Sequence, residues 1–367
     1  MIHVKDLLRI LLKNKISFYT GVPDSVLKKL ADSFDEIRNS KHFIAVNEGA
    51  AVSIGMGYHL STKKIPCIYL QNSGLGNAIN PLISIAHRKV YSIPMLLMIG
   101  WRGSPKKKDE PQHKAKGAIT LNLLKLLNID YCIARTKKDL SKFNKLIKSA
   151  KRNQKIVACL IEKDTLVSRK KKIRKIKKKT SIFRSNFLPK LLKKIKKDSK
   201  IISTTGYTSR ELMQIREEKK LFKGRDFYMV GGMGHASMVT FGYSLYSKKQ
   251  IICLDGDGSI LMHLGSLRTF GHFGNPNLKH ILLNNNSHES VGGQITTALS
   301  IDFKQLTKSI GYNNYYKVSN KDKIDTTLQN FLQSKGPSFL EVLISEGTTK
   351  NLKRPKNLIQ IKKLFMK

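Results

Sequence analysis

Two polar motifs in the second half of the chain combine residue types that bind a hard cation and an anion. Asp257 stands in a DGDGS run directly after the apolar run 251–254, and Asn285 stands in an NNN run directly after a second predicted strand, 279–283. Mg²⁺ prefers oxygen ligands such as these and keeps part of its coordination shell for phosphate oxygens. Backbone N–H groups of the next helix, near Ser259, can bind the phosphate. The pattern predicts a magnesium and diphosphate site, the alternative being two ordinary loops.

Three further polar runs follow predicted strands. Residues 204–208 (TTGYT) and 231–235 (GGMGH) are turns rich in small residues, and residues 47–51 (NEGAA) place the carboxylate of Glu48 at the start of a small-residue helix. By itself, Glu48 would be interpreted as a partner of the helix dipole. Met233, by itself, would be interpreted as a core methionine beside a glycine turn.

Strands must position these motifs, and the apolar runs of the sequence predict such strands. In the first half we predict strands at 18–20, 43–46, 65–71, 95–99 and 156–161, with helices at 4–13, from 25, and over 48–57. In the second half we predict strands at 200–203, 227–230, 250–254, 279–283 and 337–343, with helices at 209–217, 236–246 and 261–273. Continuously apolar strands separated by helices indicate parallel sheets covered on both faces. The predicted fold class is α/β, with two doubly wound parallel-sheet domains at 1–165 and 183–367 and a basic linker at 166–182.

Composition limits the function classes. The chain has 367 residues, of which 40% are hydrophobic, and a formal net charge of +43. This length and apolar content suit two globular domains. The charge alone would fit a nucleic-acid-binding protein, but the lysines are spread along the chain, as A/T-rich codons would produce. The one basic run, 169–179, is interpreted as a solvated linker, with weak attraction to RNA or acidic surfaces as the alternative.

We expect a cytoplasmic protein with no membrane partner and no specific nucleic acid. Residues 1–14 predict an amphipathic helix, not a secretory signal. The most apolar run, 91–101, is shorter than the ~20 residues that cross a bilayer. The four cysteines form no CxxC pair and are expected to be buried thiols.

The motifs together resemble the fingerprint of the thiamin-diphosphate-dependent 2-oxo acid decarboxylases: a GDG turn at a strand end, a helix, and a strand ending in NN, with Asn285 28 positions after Asp257. The resemblance implies the thiamin-diphosphate-binding fold and the cofactors thiamin diphosphate and Mg²⁺. It makes Asp257, Asn285 and the Ser287 carbonyl the ligands of Mg²⁺. Glu48 becomes the carboxylate that hydrogen-bonds the aminopyrimidine ring and promotes proton removal. Further cofactor contacts are implied for Thr205, Gly206, Gly232, Met233, Gly234, Gly258 and Ser259, with Met233 as the apolar residue that bends the cofactor.

Within this family the chain is most similar to the two-domain branch, because it is too short for the central domain that most members carry. The similarity is dense at 21–25 (GVPDS), 71–77 (QNSGLGN), 109–113 (DEPQH) and 290–294 (SVGGQ), with Val291 standing where the branch has threonine. The branch implies decarboxylation of phosphonopyruvate to phosphonoacetaldehyde, in the biosynthesis of phosphonates such as 2-aminoethylphosphonate. The alternative substrate is sulfopyruvate.

Such a substrate carries two anionic groups and requires cationic or N–H donors. The candidates are Asn72, Ser73, Arg102, His113, Lys114, His235 and His288. For each of them a surface or structural role is an equal alternative.

The resemblance also implies an assembly. In this family the cofactor binds between the first domain of one subunit and the second domain of another, so we expect a homo-oligomer, at least a dimer. A nucleic-acid-binding protein and a noncatalytic relative are alternatives from other classes. The intact Glu48, Asp257 and Asn285 speak against the noncatalytic relative.

Overall fold

The computed structural model describes residues 1–105, 107–168 and 180–367. These residues form two compact units, one before and one after the segment 169–179. The predicted basic run at 169–179 lies outside the described residues. Within the predicted linker, Leu166 belongs to a strand of the first unit and Ile182 is buried in the core of the second. The domain boundaries predicted at 165 and 183 therefore stay predictions.

The first unit is built on a parallel sheet. Its strands are β1 (Ile2–His3), β2 (Phe18–Gly21), β3 (Lys41–Ile44), β4 (Cys67–Gln71), β5 (Met95–Trp101), β6 (Asp130–Ala134), β7 (Ile156–Glu162) and β8 (Leu166–Val167). Its helices are α1 (Val4–Lys13), α2 (Lys28–Phe34), α3 (Glu48–Thr62), α4 (Leu75–Pro81), α5 (Pro111–Leu126) and α6 (Asp139–Arg152). Six strands pair in the order β3-β2-β4-β5-β7-β6, and β1 pairs separately with β8.

Strand β5 shows why these strands read as continuous apolar runs. Leu96 and Met98 pack into the core on one face of the sheet, whereas Met95, Leu97 and Ile99 pack into a second core on the other. Successive side chains of a strand point to opposite faces, so a sheet covered on both sides requires apolar residues at every position. The predicted covered parallel sheet is confirmed. None of the described helices is long and apolar enough to cross a membrane.

The second unit repeats the same architecture. Its strands are β9 (Lys200–Ser203), β10 (Arg225–Tyr228), β11 (Ile251–Gly256), β12 (Leu278–Asn284), β13 (Asn314–Val318) and β14 (Ser338–Leu343). Its helices are α7 (Arg184–Lys194), α8 (Tyr207–Glu218), α9 (Ala236–Ser244), α10 (Asp257–Met262), α11 (Ser266–Phe273), α12 (Phe303–Ser309), α13 (Ile324–Gln333) and α14 (Leu358–Met366). The strands are parallel in the order β10-β9-β11-β12-β14-β13, with a core on each face. The predicted α/β class with two doubly wound sheets is confirmed.

Several predicted elements differ in their bounds from the structure, two of them as follows. The helix predicted over 261–273 is divided into α10 and α11, which are separated by residues 263–265. The strand predicted at 43–46 is β3, at Lys41–Ile44. Val46 lies beyond the end of β3 and is 48% exposed, so its apolar side chain does not mark a buried strand position.

Candidate active site

The strand order places a switch point in each sheet. In the first sheet the order reverses between β2 and β4, and in the second between β9 and β11. Ligands of open α/β sheets bind beyond the carboxyl ends of the strands at such points. The residues that follow these strands are therefore the first candidates for a site in each unit.

Asp257 follows β11 and is the first residue of α10. It is only 3% exposed. Its Oδ2 accepts hydrogen bonds from the Ser287 amide at 3.0 Å and from Thr296 Oγ1 at 2.5 Å. Burial raises the pKa of Asp257 to about 6, although these donors and the amides of Asp257 and Gly258 oppose that shift. Among the residues that the structure describes, no cationic side chain forms an ion pair with this buried carboxylate.

Asn285 brings a second oxygen to the same place. It follows β12, the neighbour of β11, and its Oδ1 accepts from the Ser287 amide at 3.1 Å. The oxygens of Asp257 and Asn285 therefore converge on one nitrogen. Ser287 Oγ is also buried and finds no hydrogen-bond partner within the described part of the chain. A carboxylate, an amide oxygen and the nearby Ser287 main chain form a donor set that suits Mg²⁺.

Gly258 lies beneath two side chains that the sequence singled out. A Cβ atom at this position would stand 2.7 Å from the His288 ring and 3.3 Å from Met233 Cε, so a larger residue does not fit. Burial lowers the pKa of His288 to about 4, which keeps its imidazole neutral near pH 7. Met233 and His288 thus both lie close to Gly258, in the turn that carries Asp257.

The turn after β9 joins the same place by hydrogen bonds. Thr204 Oγ1 and Ser259 Oγ are 2.9 Å apart, and the Gly234 amide donates to Ser259 Oγ at 3.1 Å. Ser259 therefore connects the loops that follow β9, β10 and β11. The remaining predicted contacts lie in two of these loops, at Thr205, Gly206 and Gly232.

In the first unit, Glu48 is the first residue of α3 and is 6% exposed. The side chain of the preceding residue, Asn47, caps the helix by accepting from the Ala50 amide. Glu48 Oε2 accepts from Asn77 Nδ2 at 2.8 Å. A Cβ atom at position 74 would stand 2.0 Å from Glu48 Oε1, so only Gly74 leaves room for this carboxylate.

Arg102, predicted to bind substrate, is held in a buried ion pair. Its Nε and Nη2 donate to the two oxygens of Asp109 at 2.6 and 2.5 Å, and its Nη1 donates to Ser25 Oγ at 3.2 Å. Burial opposes the charge of Asp109, but Arg102 and the amides of Gly103 and Glu110 hold the pKa of Asp109 well below its usual range. Three of the five N–H donors of Arg102 are thus engaged, and its charge is balanced by Asp109.

Asn72 and Ser73 are also engaged internally. Asn72 Nδ2 donates to the Arg102 carbonyl at 3.0 Å and to Thr120 Oγ1 at 2.9 Å, and its Oδ1 accepts from the Arg102 amide. Ser73 Oγ donates to Gln71 Oε1 at 2.9 Å. The hydrogen bonds of both side chains thus stabilise the loops at the edge of the sheet.

The other predicted substrate residues lie at more open positions. His113 is half-buried and Lys114 is exposed on the first turn of α5. His235 is exposed, and its ring stacks on that of His263 with centroids 4.6 Å apart. Burial, and secondarily His235, lowers the pKa of His263, whose Nε2 is buried without a partner among the described residues.

Sequence reasoning missed a buried carboxylate at the switch point of the first sheet. Asp24 is 1% exposed, and burial raises its pKa. Its Oδ2 accepts from Gln71 Nε2 at 2.8 Å, and its Oδ1 accepts from the amides of Val26 and Leu27. The available signal was its position directly after β2. Thr296, which bonds Asp257 from a distant loop, carried no local signal.

Comparison with known proteins extends over both units. The thiamine pyrophosphate enzyme N-terminal TPP binding domain matches residues 2–125, and the C-terminal TPP binding domain matches residues 204–342. Phosphonopyruvate decarboxylases from Streptomyces viridochromogenes and Streptomyces hygroscopicus are each 31% identical to this chain, over 97% of it and 92% and 91% of their own lengths. A sulfopyruvate decarboxylase from Methanosarcina acetivorans is 27% identical over 89% of this chain and 86% of its own length.

Proposed function

Because this chain belongs to the thiamine pyrophosphate enzyme family, in the branch of the phosphonopyruvate decarboxylases, we propose that it converts 3-phosphonopyruvate to phosphonoacetaldehyde and CO₂. The reaction breaks the bond between the keto carbon and the carboxylate and places one proton on the keto carbon. The proposed cofactors are thiamin diphosphate and Mg²⁺. The observation that carries the proposal is the convergence of Asp257 Oδ2 and Asn285 Oδ1 on the Ser287 amide.

The chemistry of these donors fits the proposed cation. A buried carboxylate without a compensating charge is costly, and a bound cation removes that cost. We propose that Asp257, Asn285 and the Ser287 carbonyl hold Mg²⁺, and that amide and hydroxyl donors of Thr205, Gly206, Gly258 and Ser259 hold the diphosphate. Gly258 supports this assignment because no side chain could occupy its position.

When bound, thiamin diphosphate supplies a carbon nucleophile and an acceptor for the electrons released as CO₂ leaves. Glu48 is proposed to hydrogen-bond the aminopyrimidine ring and to hold a proton there. Asn77 donates to Glu48 Oε2 and leaves Oε1 to face Gly74, so the carboxylate keeps one orientation. Met233, flanked by Gly232 and Gly234, is proposed to support the bent form of the cofactor.

Substrate recognition is assigned to the candidates at open positions. Lys114 and His235 are exposed cationic or N–H donors, and His113 and His288 are half-buried. His288 is neutral near pH 7, so it would donate an N–H group to the substrate. Arg102, Asn72 and Ser73 are proposed to contribute indirectly, by holding the loops at the edge of the sheet in place with their internal hydrogen bonds. The net charge of +43 favours encounter with a polyanionic substrate.

The reaction is tested by measuring CO₂ and aldehyde release from purified protein with phosphonopyruvate and with sulfopyruvate. Each substrate is tested with and without thiamin diphosphate and Mg²⁺. We expect cofactor-dependent turnover of phosphonopyruvate well above that of sulfopyruvate. The reverse preference would keep the mechanism and replace the substrate. Turnover of neither substrate by a protein that binds the cofactor would refute both.

The assembly follows from the family. We infer a homo-oligomer, at least a dimer, in which the first unit of one copy and the second unit of another complete each site. Light scattering coupled to size-exclusion chromatography tests this with and without the cofactors. A monomer that turns over substrate would contradict it.

A further inference from the structure

Asn285 is held by a buried group of charges on the side away from Asp257. Its Nδ2 donates to Glu289 Oε2 at 3.0 Å, and the same oxygen accepts from Arg184 Nη2 at 3.1 Å. Arg184 Nη1 donates in turn to Glu211 Oε2 at 2.8 Å. Arg184, Glu211 and Glu289 are called the charged triad below.

The triad is fixed by burial and by backbone donors. Arg184 is 5% exposed and Glu211 is fully buried. Glu289 Oε1 accepts from the Gly347 amide at 2.6 Å, and Glu211 Oε1 accepts from the Thr349 amide at 2.8 Å. The triad therefore connects α7, α8, the loop after β12 and the segment after β14. Because both oxygens of Glu289 are bonded, its carboxylate cannot turn without losing a hydrogen bond.

The triad also places a net negative charge next to Asn285. Burial opposes the charge of Arg184, but Glu211 and Glu289 keep its pKa above the usual range, so it stays a cation. Two carboxylates and one guanidinium leave a net negative charge one hydrogen bond away from the Asn285 amide. This charge polarises the amide and increases the electron density on Oδ1, the oxygen that converges with Asp257.

The triad further selects the amide orientation. A carboxylate only accepts hydrogen bonds, so Glu289 can bond Nδ2 of Asn285 and would repel Oδ1. A flipped amide would lose the bond to Glu289 and turn its NH₂ group toward the Ser287 amide. Partners behind a ligand, which fix its orientation and basicity, typically change metal affinity by ~10–100-fold when they are removed.

We propose that Glu289, held by Arg184 and Glu211, is a positioning residue for the cation site: it turns Asn285 Oδ1 toward the cation and strengthens it as a ligand. This inference rests on the proposed function, because it presumes that Asn285 binds the Mg²⁺ of the cofactor. It adds a role for three residues that neither the motif nor the strand ends indicate.

The chain offers a matched control one residue away. Asn284 Nδ2 donates to Glu341 Oε1 at 2.9 Å, and Glu341 is 2% exposed. Tyr315 also donates to Glu341. Asn284 and Glu341 thus repeat the amide–carboxylate pair inside the same sheet, but Asn284 is not a proposed ligand. A loss of structural support alone would affect Glu341→Ala and Glu289→Ala alike.

The test measures cofactor binding and not only turnover. Mg²⁺ is titrated at a fixed concentration of thiamin diphosphate, with binding followed by calorimetry, and the Tm of each variant is measured by circular dichroism. For Glu289→Ala we expect the half-saturating Mg²⁺ concentration to rise ~10–100-fold. For Glu289→Gln, which keeps an oxygen for Nδ2 but loses the charge, we expect a smaller rise. Glu341→Ala should lower the Tm and leave the Mg²⁺ requirement unchanged.

The outcomes separate the two proposals. If wild-type protein binds no thiamin diphosphate with Mg²⁺, the proposed function fails. If wild type binds and Glu289→Ala shifts the Mg²⁺ requirement by less than about threefold, or no more than Glu341→Ala, only the positioning role fails. Should Glu289→Ala not fold, Glu289→Gln decides: an unchanged Mg²⁺ requirement would overturn the role of the charge.

Discussion

Asp109 in the first unit and Asp257 in the second are both carboxylates shielded from solvent at the carboxyl edge of a parallel sheet, yet their charges are balanced in opposite ways. The Asp109 side chain is 3% exposed and forms a bidentate ion pair with Arg102. Among the described residues, Asp257 accepts hydrogen bonds from neutral donors, which include the Ser287 amide and the Thr296 hydroxyl. The pKa of Asp109 lies well below its usual range, while that of Asp257 is raised to about 6. The charge of Asp109 is balanced by Arg102, whereas no described cationic side chain forms an ion pair with Asp257.

The contrast shows that a buried carboxylate at a sheet edge can either stabilise the fold through an ion pair or remain unpaired and suited to binding a ligand. A buried ion pair loses its value when one partner is removed, because the other is left as an unpaired buried charge. A buried carboxylate without a cation costs stability until the cation binds. Glu48 and Asp24 are exceptions in the first unit, since both accept hydrogen bonds from neutral groups: Glu48 from Asn77, and Asp24 from Gln71 and two backbone amides.

The largest expected effect concerns Glu48. Glu48→Gln should lower turnover by ~10²–10⁴-fold, the usual value of a proton-transferring group, and leave cofactor binding largely intact. Steady-state CO₂ release and calorimetric binding of thiamin diphosphate measure the two effects. The control is Glu36→Gln, at an exposed glutamate of the same unit. Near-normal turnover of the Glu48 variant would remove this residue from catalysis.

The next effect tests the buried ion pair of Arg102 and Asp109 in the first unit. Asp109→Ala leaves Arg102 buried and unpaired, so the free energy of unfolding of the first unit should fall by about 3–5 kcal/mol. Asp130→Ala is the matched control, because the Asp130 side chain, paired with Lys155, is 58% exposed. That exposed pair should contribute only about 0–1 kcal/mol. Equal losses in urea denaturation would contradict the contrast between the pairs.

The second edge should respond in the opposite direction. Asp257→Asn removes the uncompensated charge at nearly constant volume, so the cofactor-free protein should gain about 2–3 kcal/mol near pH 7.5. The same variant should bind thiamin diphosphate with Mg²⁺ at least about tenfold more weakly, because a ligand charge is lost. Denaturation and calorimetry on one preparation measure both. A variant that is neither more stable nor weaker in binding would refute the metal-site assignment.

The smallest effect is a change with pH. The folded pKa of Asp257, about 6, lies above its ordinary value of 3.8, so its charge destabilises the cofactor-free protein fully above pH 6. That destabilisation disappears as the pH falls from 6 to 3.8. The advantage of Asp257→Asn over wild type should therefore shrink by about 1.4 kcal/mol per pH unit over this window. The stabilisation from Asp109 behaves oppositely, since it is present above pH 3.8 and is lost as the pH falls toward its lowered folded pKa. An advantage that stays constant with pH would contradict the Asp257 assignment.

The sequence predicted the sheets and the convergence of Asp257 and Asn285 well, because both depend on local patterns. Continuous apolar runs mark strands buried on both faces, and the residues after adjacent parallel strands must meet at one edge. α1 was predicted at its observed bounds, since Val4, Leu7 and Leu11 form a buried stripe at helical spacing.

The partners of the site could not be predicted in this way. Arg102 and Asp109 are seven residues apart and pair because the loop between them folds back. Arg184 and Glu289 are 105 residues apart in the sequence. Such contacts are set by how helices and loops pack on the sheet. The sequence identified Arg102 as a cation near the site but gave no sign that its charge is already used.

The buried carboxylates have a consequence for the charge of the molecule. Eight of the 25 acidic residues are buried: Asp24, Glu48, Glu162, Glu211, Asp226, Asp255, Asp257 and Glu341. At these positions a lysine would introduce a buried charge of the wrong sign, whereas an exposed acid can be exchanged for lysine at little cost in stability. The buried positions therefore limit how many acidic residues can be lost, whereas surface positions can change from acidic to basic. An engineer could change many surface lysines to glutamate and bring the protein toward neutrality while the fold and its buried carboxylates stay as they are.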